Sequence, residues 1–252
     1  EHTGIVVGAI ELTNGRLLSL SNDNTLRLWD NDGNPLATLS GHASLVKGAI
    51  ELTDGRLLSW NADNTLRLWD NDGNPLATLS GHTYLVKGVI ELTDGRLLSW
   101  SYDGTLRLWD NDGNPLATLS GHTGGVLGAI ELTNGKLLSW ASNPYSPYSE
   151  GNDTALHLWD SDGNPLATLP GHTNSVIGAI ELTDGRLLSW SDDNTLRLWD
   201  AHSKISTTLS GHTGYVVGAI ELTDGRLLSW SADSTLRLWD NDGNPLATLS
   251  GH

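Results

Sequence analysis

A histidine, a serine and an aspartate recur at fixed spacings along the chain, in a combination that some hydrolases use for nucleophilic catalysis. In the second of six copies they are His42, Ser59 and Asp63. A hydrolytic triad needs an exposed serine, a histidine base oriented by the acid, and an oxyanion hole beside them. An enzyme needs one such site, whereas here every copy carries the set. We therefore expect no catalytic residues and no enzymatic activity.

These residues belong to a repeat of 40 residues. Gly-His pairs and Trp-Asp pairs both recur at steps of 40, 40, 50, 40 and 40 residues. A repeat of this size is one supersecondary unit, and its neighbours must bury its apolar faces. We expect one domain over residues 1–252. Its copies span approximately residues 1–40, 41–80, 81–120, 121–170, 171–210 and 211–250, and residues 251–252 begin a further copy.

Each copy is expected to form four short β-strands. In the second copy they cover residues 45–52, 56–60, 65–69 and 76–79. Turns with Asp-Gly separate them, because Asp-Gly supplies the left-handed conformation that tight hairpins need. The strands are apolar on both faces, which favours a sheet buried between two other sheets over a sheet with one wet face.

The order Gly-His, strand, Ser, Asp and TLRLWD resembles the WD-repeat β-propeller family over essentially the whole chain, and in particular the highly repetitive bacterial arrays. The resemblance implies an all-β propeller of four-stranded antiparallel blades, six in this chain. It also implies a structural tetrad in each blade, in which Trp donates to Ser, Ser to His, and His to Asp. The expected tetrads are His2, Ser19, Asp23, Trp29; His42, Ser59, Asp63, Trp69; His82, Ser99, Asp103, Trp109; His122, Ser139, Asp153, Trp159; His172, Ser189, Asp193, Trp199; and His212, Ser229, Asp233, Trp239.

A second tryptophan series departs from the family pattern. A tryptophan follows the tetrad serine where the family usually has a small residue, and Leu20 takes that place in the first copy. We expect these large rings to fill space between blades. The series is Trp60, Trp100, Trp140, Trp190 and Trp230.

The turn Asp30-Asn31-Asp32-Gly33-Asn34 alternates oxygen ligands as a calcium loop does. Its glycine stands at the fourth position instead of the sixth, and the bidentate glutamate of an EF-hand loop is missing. We interpret it as a tight hairpin turn, and we predict no metal site and no cofactor.

The composition excludes several classes of function. The net charge is −16, with 30 acidic and 14 basic residues, so the surface repels phosphate backbones and nucleic acid is not an expected ligand. Cysteine and long apolar runs are absent, and we expect no signal peptide. We expect a cytoplasmic protein that binds no membrane.

The copies differ mainly after Gly-His, at the residue after the next valine, and between strands two and three. In a propeller these loops lie at one end, which the family resemblance identifies as the top face that most often binds partners. Loops on a rigid scaffold commonly carry function, and tyrosine is enriched at interfaces. We predict a partner-binding sector formed by Lys47, Tyr84, Lys87, Tyr102, Tyr145 and Tyr148.

The sequence favours a non-enzymatic scaffold or sensor module that binds a protein or peptide, possibly an acidic one, on this face. One alternative is a propeller that binds a small ligand or carbohydrate. Another is an engineered or recombined array with no dedicated ligand, since near-identical repeats are highly designable.

Closure of the ring is a separate question. Each copy is a complete blade, so no strand is left over to form a shared closing blade. We expect a closed six-blade ring sealed by packing between its first and last blades. A segment of a larger or oligomeric ring is the alternative, with self-association if six blades do not close.

Overall fold

The computed structural model describes residues 1–142, 153–200 and 205–251, and these residues form six four-stranded antiparallel sheets without a helix. Each sheet is one blade, and its strands are hydrogen-bonded in chain order. This is the all-β architecture of propeller blades that the repeat predicts. In the described part of the chain, no helix is long and apolar enough to cross a membrane.

The first three blades contain strands β1 to β12. Their bounds are β1 Val6–Glu11, β2 Leu17–Ser21, β3 Leu26–Trp29, β4 Pro35–Leu39, β5 Val46–Glu51, β6 Leu57–Asn61, β7 Leu66–Trp69, β8 Pro75–Leu79, β9 Val86–Glu91, β10 Leu97–Ser101, β11 Thr105–Trp109 and β12 Pro115–Ser120.

The last three blades contain strands β13 to β24. Their bounds are β13 Val126–Glu131, β14 Leu137–Ala141, β15 Leu156–Trp159, β16 Pro165–Leu169, β17 Val176–Glu181, β18 Leu187–Ser191, β19 Leu196–Trp199, β20 Ser206–Leu209, β21 Val216–Glu221, β22 Leu227–Ser231, β23 Thr235–Trp239 and β24 Pro245–Ser250.

The four strands predicted for the second copy are confirmed to within one residue at nearly every end. The turns explain this accuracy. Gly55 and Gly73 both have φ near +86°, as the Asp-Gly turns require, and Pro75 begins the fourth strand, where no ladder hydrogen bond from its nitrogen is needed.

A β-bulge interrupts the first strand of each of the six blades. In the second blade, Val46 pairs with Asn61 and Gly48 pairs with Trp60, so Lys47 is the extra residue between them. A bulge leaves one residue unpaired, increases the local twist and changes the direction of a side chain. The third blade repeats the irregularity at Lys87.

The chain divides into two compact units, residues 1–118 and 119–252, with the boundary inside β12. In each unit, apolar clusters form between successive blades. In the first unit, Leu58 and Leu66 of the second blade pack with Val86 and Trp109 of the third. In the second unit, Leu188 of the fifth blade shares a cluster with residues of the sixth. Buried apolar area between blades is thus the main source of stability in each unit.

Three members of the second tryptophan series, Trp60, Trp140 and Trp190, pack in clusters between blades, as predicted, whereas Trp230 in the sixth blade is 36% exposed. Trp60 packs against the cluster between the second and third blades. It also lies on Gly48 of the neighbouring strand, where a Cβ atom would overlap the indole ring. The glycine therefore provides the space that the ring occupies.

A polar contact between blades was not foreseen from the sequence. Glu51 at the end of β5 accepts hydrogen bonds from the Thr13 backbone N–H at 2.7 Å and from the Thr13 hydroxyl at 2.9 Å. Thr183 and Glu221 make the same pair of contacts in the second unit. The glutamate and threonine of the repeated ELT sequence thus link successive blades within each unit.

The first blade of the first unit and the last blade of the second unit are more exposed than their neighbours in the same unit. In the first unit, Val6 is 54% exposed, whereas its counterpart Val46 is 1% exposed. In the second unit, Leu249 is 49% exposed and its counterpart Leu209 is 1% exposed. The first and last blades therefore each present an apolar face, and closure of a six-blade ring stays a prediction.

Candidate functional site

Three of the six residues predicted to bind a partner line one pocket in the first unit. Lys47, Lys87 and Tyr102 surround it together with Leu85 and Val86, and its volume is ≈ 350 Å³. The volume is at the lower end of the range for ligand pockets. The pocket therefore accommodates one or two side chains of a larger partner or a small ligand.

Backbone geometry places the two lysines in this pocket. Lys47 and Lys87 occupy the bulges of β5 and β9, while the valine before each is buried. A bulged residue lies outside the regular ladder, so its side chain is free to take a direction of its own. Lys47 and Lys87 are consequently exposed, although each follows a buried valine.

The loop between strands two and three positions Tyr102. The Tyr102 N–H donates to the carbonyl of Leu85 at 3.1 Å, and the Ser101 hydroxyl donates to the carbonyl of Tyr84 at 2.8 Å. These bonds tie the two variable loops of the third blade together. Lys87 Nζ lies 5.8 Å from the centroid of the Tyr102 ring, within the range of a cation–π contact.

The charge of the pocket is opposite to that of the chain. Several arginines on this acidic protein are paired locally, as Arg56 is with Asp54 at 2.7 Å. Across residues 1–142, 153–200 and 205–251, neither Lys47 nor Lys87 forms an ion pair. The pocket therefore offers two ammonium groups to an external anion.

The other residues of the predicted sector have different positions. Tyr84 is 37% exposed and its loop adjoins that of Tyr102, but it does not line the pocket. Tyr145 and Tyr148 lie outside the described residues. The sector as a whole stays a prediction, with Lys47, Lys87 and Tyr102 as its described centre.

The tetrad residues lie within hydrogen-bond distance of one another. In the third blade, Trp109 Nε1 donates to Ser99 Oγ at 2.9 Å, and His82 Nε2 lies 2.8 Å from the same oxygen. His82 Nδ1 lies 3.0 Å from Asp103. The first, fourth, fifth and sixth blades have the same three contacts.

This arrangement suits a structural network better than a nucleophile. Ser99 is fully buried, and its oxygen already accepts the Trp109 N–H. A serine that attacks a substrate must be reachable, and it needs oxyanion donors beside it. A buried network with every partner satisfied instead favours a single packing arrangement.

The second blade corrects one prediction. His42 Nε2 contacts Ser59 Oγ at 2.7 Å, but among the described residues His42 Nδ1 has no hydrogen-bond partner. The expected bond from His42 to Asp63 is therefore wrong. Asn61 stands here where four of the other blades have serine, and its side-chain oxygen accepts the Asp63 N–H at 3.2 Å. Burial lowers the pKa of His42 to about 4, so the ring is neutral at physiological pH.

Hydrogen bonds keep the tetrad carboxylates ionised. Burial alone would raise the pKa of Asp103, but donors from His82, Thr105 and Thr83 outweigh it and lower the pKa to about 2. The Thr105 hydroxyl donates to Asp103 Oδ1 at 2.7 Å, and the Thr83 N–H donates to Oδ2 at 2.8 Å. The carboxylate therefore joins the segment before β9 to the start of β11.

The calcium-like turn has the geometry of a tight hairpin. Asp30 Oδ1 accepts the backbone N–H groups of Asp32 at 3.0 Å and Asn34 at 2.7 Å, and Oδ2 accepts the Asn34 side-chain amide at 2.8 Å. The carboxylate thus closes its own turn, as aspartate commonly does at such positions.

Sequence reasoning missed the residue that lies beside the tetrad on the third strand. It is arginine in five blades, and the Arg67 guanidinium packs on Gly41, where a Cβ would lie 2.8 Å from Nη1. Gly41 also has φ of +145°, which further favours glycine. The fourth blade has His157 at this position. A comparison of the aligned copies would have identified it.

His157 changes the surroundings of the fourth tetrad. Its ring centroid lies 4.0 Å from that of His122, and its Nε2 lies 3.8 Å from Asp153 Oδ1. Burial lowers the pKa of His157 to about 4, with a further contribution from His122. The described part of the fourth blade thus places two imidazoles and one carboxylate together.

Comparison with known proteins identifies one family. The model of the WD40 family, described as "WD domain, G-beta repeat", matches residues 33–70, 73–110, 163–200 and 203–240, which is more than half of the chain. Each matched segment ends at the Trp-Asp pair of the second, third, fifth or sixth copy. No curated protein matches the chain.

Proposed function

Because the chain belongs to the WD40 repeat family, we propose that it is a non-enzymatic scaffold that binds an acidic segment of a protein or peptide at the pocket of Lys47, Lys87 and Tyr102. WD40 repeats generally mediate protein interactions as scaffolds. The observation that carries the finer proposal is that two lysines from different blades and one tyrosine line the same pocket.

The chemistry of the pocket favours an anionic partner. Two ammonium groups without an ion pair attract carboxylates, and the negative charge elsewhere on the chain repels an acidic segment from other surfaces. Electrostatic attraction therefore directs such a segment to this pocket.

Tyr102 provides the apolar part of recognition. It is half-buried, and the hydrogen bond of its N–H to Leu85 restrains its loop. A restrained aromatic ring loses little conformational entropy on binding and presents a large contact area. We infer that the ring packs against an apolar side chain next to the acidic residue of the partner.

The copies supply substitutions that fit the fold. The position of Lys47 and Lys87 is valine in the first and sixth copies and leucine in the fourth, and the position of Tyr102 is alanine in the second and sixth. The variant Lys47→Val/Lys87→Leu/Tyr102→Ala therefore removes the pocket chemistry with residues that sister blades already contain. Tyr215→Leu, at an exposed tyrosine of the second unit, is the matched control.

A displayed library of 12-residue peptides, selected on the whole chain, tests the proposal. We expect enrichment of peptides with Glu or Asp beside an aromatic or aliphatic residue. The triple variant should bind the enriched peptide at least about tenfold more weakly, while Tyr215→Leu binds it normally. Binding should also weaken as salt increases. Equal binding by the triple variant and the parent chain would overturn the proposal, as would selection of basic peptides.

A further inference from the structure

The fourth blade contains a cluster of potential metal ligands that the other blades lack. His122, Asp153 and His157 each offer one ligand atom, and these atoms all lie within 4.8 Å of one another. His122 Nδ1 is 2.7 Å from Asp153 Oδ2, and His157 Nε2 is 3.8 Å from Asp153 Oδ1. His122 precedes β13, and the other two residues lie just before and within β15, so two chain segments meet here.

Two substitutions make this cluster specific to the fourth blade. The other five blades have arginine where His157 stands, so a positively charged side chain replaces the potential metal ligand there. They also have threonine where Ala155 stands, and the hydroxyl of each threonine donates to the tetrad aspartate; for Thr195 the distance to Asp193 Oδ1 is 2.6 Å. Within the described residues, Asp153 Oδ1 accepts only the Ala155 N–H, at 3.3 Å.

We propose that His122, Asp153 and His157 bind a divalent transition-metal ion, with Zn²⁺ as the best match. Zn²⁺ binds imidazole nitrogen and carboxylate oxygen at about 2.0–2.2 Å, so two ligands at a tetrahedral angle are about 3.3–3.6 Å apart. The two separations from Asp153 fall on either side of this value. Small rotations of the side chains would bring all three donors onto one ion.

The identity of the donors selects the class of metal. Two imidazoles and one carboxylate suit Zn²⁺, Co²⁺, Ni²⁺ and Cu²⁺, whereas Ca²⁺ and Mg²⁺ prefer a full set of oxygen ligands. Three protein ligands leave one tetrahedral position for water. The side chains of His122, Asp153 and His157 are 0%, 5% and 13% exposed, so an ion would enter past His157.

The site adjoins the tetrad without destroying it. An ion on His122 Nδ1 takes the place of the proton on that nitrogen, and this proton is transferred through solvent to Nε2. His122 Nε2 then carries the ring proton and donates it to Ser139 Oγ, 2.7 Å away. That hydrogen bond holds the ligand ring in place, as outer partners of metal-bound histidines commonly do.

Calorimetric titration of the whole chain with ZnCl₂ tests the site, and His157→Arg is the matched variant. Arginine is the residue of the five sister blades, so the variant retains their packing and every acidic surface group. We expect one equivalent of Zn²⁺ to bind the parent chain. His157→Arg should bind it more than about tenfold more weakly, since loss of an outer partner alone costs 10–100-fold. Equal affinity for the two chains, or no binding to the parent chain, would overturn the proposal.

Two further experiments test the site even if His157→Arg fails to fold. One builds the ligand set into the fifth blade, and the other measures Co²⁺ spectra. Thr195→Ala/Arg197→His reproduces the ligand set in the fifth blade, and we expect it to bind a second equivalent of Zn²⁺. With Co²⁺, the parent chain should show the intense visible bands of four-coordinate cobalt, and His157→Gln should lose them. Failure of the transplant to add an equivalent, together with unchanged Co²⁺ bands in His157→Gln, would exclude these ligands.

Discussion

The fourth and fifth blades, both in the second unit, share one half of a polar network and differ in the other half. In both, the histidine Nε2 lies within 2.7–2.8 Å of the serine oxygen, as His122 to Ser139 and His172 to Ser189. The tryptophan N–H reaches the same serine at 2.8–2.9 Å. The half of the network that faces the core is therefore identical in the two blades.

The halves that contain the aspartate are different. Asp193 accepts four hydrogen bonds, two of them from the N–H and the hydroxyl of Thr195. Among the residues that the structure describes, Asp153 accepts three, because Ala155 has no hydroxyl, and it has His157 beside it. The contacts among tryptophan, serine and histidine Nε2 are thus constant and maintain the blade. The surroundings of the aspartate, in contrast, differ between blades.

The largest effect that we expect from the tetrad aspartates is a loss of stability in acid. All six tetrad aspartates have pKa values below the ordinary 3.8, because hydrogen bonds to the carboxylates outweigh burial. A carboxyl group whose pKa is lower in the folded chain stabilises the fold above its unfolded pKa, and this contribution is lost as the pH falls toward the folded pKa. The free energy of unfolding, from urea titrations, should therefore decline from about pH 4 to about pH 2.

The same measurement separates the two blades. Asp193 accepts more donors than Asp153, so Asp193→Asn should flatten the pH profile more than Asp153→Asn does. Equal flattening by the two variants would contradict the difference in hydrogen bonding between the blades. An unchanged profile in both would show that other carboxylates cause the acid sensitivity.

Removal of either carboxylate at neutral pH gives the next largest effect. Asp193→Ala leaves the donors of His172, Thr173 and Thr195 without an acceptor, and we expect it to destabilise the second unit by about 4 kcal/mol. Asp153→Ala removes one donor contact fewer and should cost about 3 kcal/mol. Urea unfolding followed by tryptophan fluorescence measures both, and a larger loss for Asp153→Ala would reverse the comparison.

Much of the fold could be predicted from the sequence because every blade repeats the same turn chemistry. Asp-Gly turns and the short apolar runs between them located the strands of the second blade to within about one residue. The tetrads came from the family resemblance, and only the His42–Asp63 bond was wrong, in the one blade that has asparagine where the others have serine or alanine.

The sites were harder to predict because they depend on local departures from the repeat. The sequence placed Lys47 and Lys87 on one face with Tyr102, but the bulges that free the lysines from the ladder arise from backbone pairing. The sequence shows that His157 occupies a position that is arginine in the other five copies. Its proximity to Asp153 required the paired strands, because only strand register converts a position in the repeat into a distance.

The smallest effect concerns one hydroxyl group. Ala155→Thr restores in the fourth blade the residue that all other blades have, and its hydroxyl should donate to Asp153 Oδ1. Since a net hydrogen bond contributes about 1 kcal/mol, the variant should stabilise the second unit by about that amount. Thr195→Ala removes the equivalent bond of 2.6 Å in the fifth blade and should destabilise the unit by a similar amount.

Ala155→Thr adds a hydroxyl group and Thr195→Ala removes the equivalent one. Urea unfolding in the presence of a chelator should therefore show changes of opposite sign in the free energy of unfolding. If Ala155→Thr instead destabilises the unit, the space beside Asp153 is needed for something other than a hydroxyl group. Repeating the titration with Zn²⁺ then distinguishes the reasons. An ion shared by Asp153 and His157 competes with the new hydroxyl for Oδ1, so Zn²⁺ should stabilise the parent chain more than Ala155→Thr.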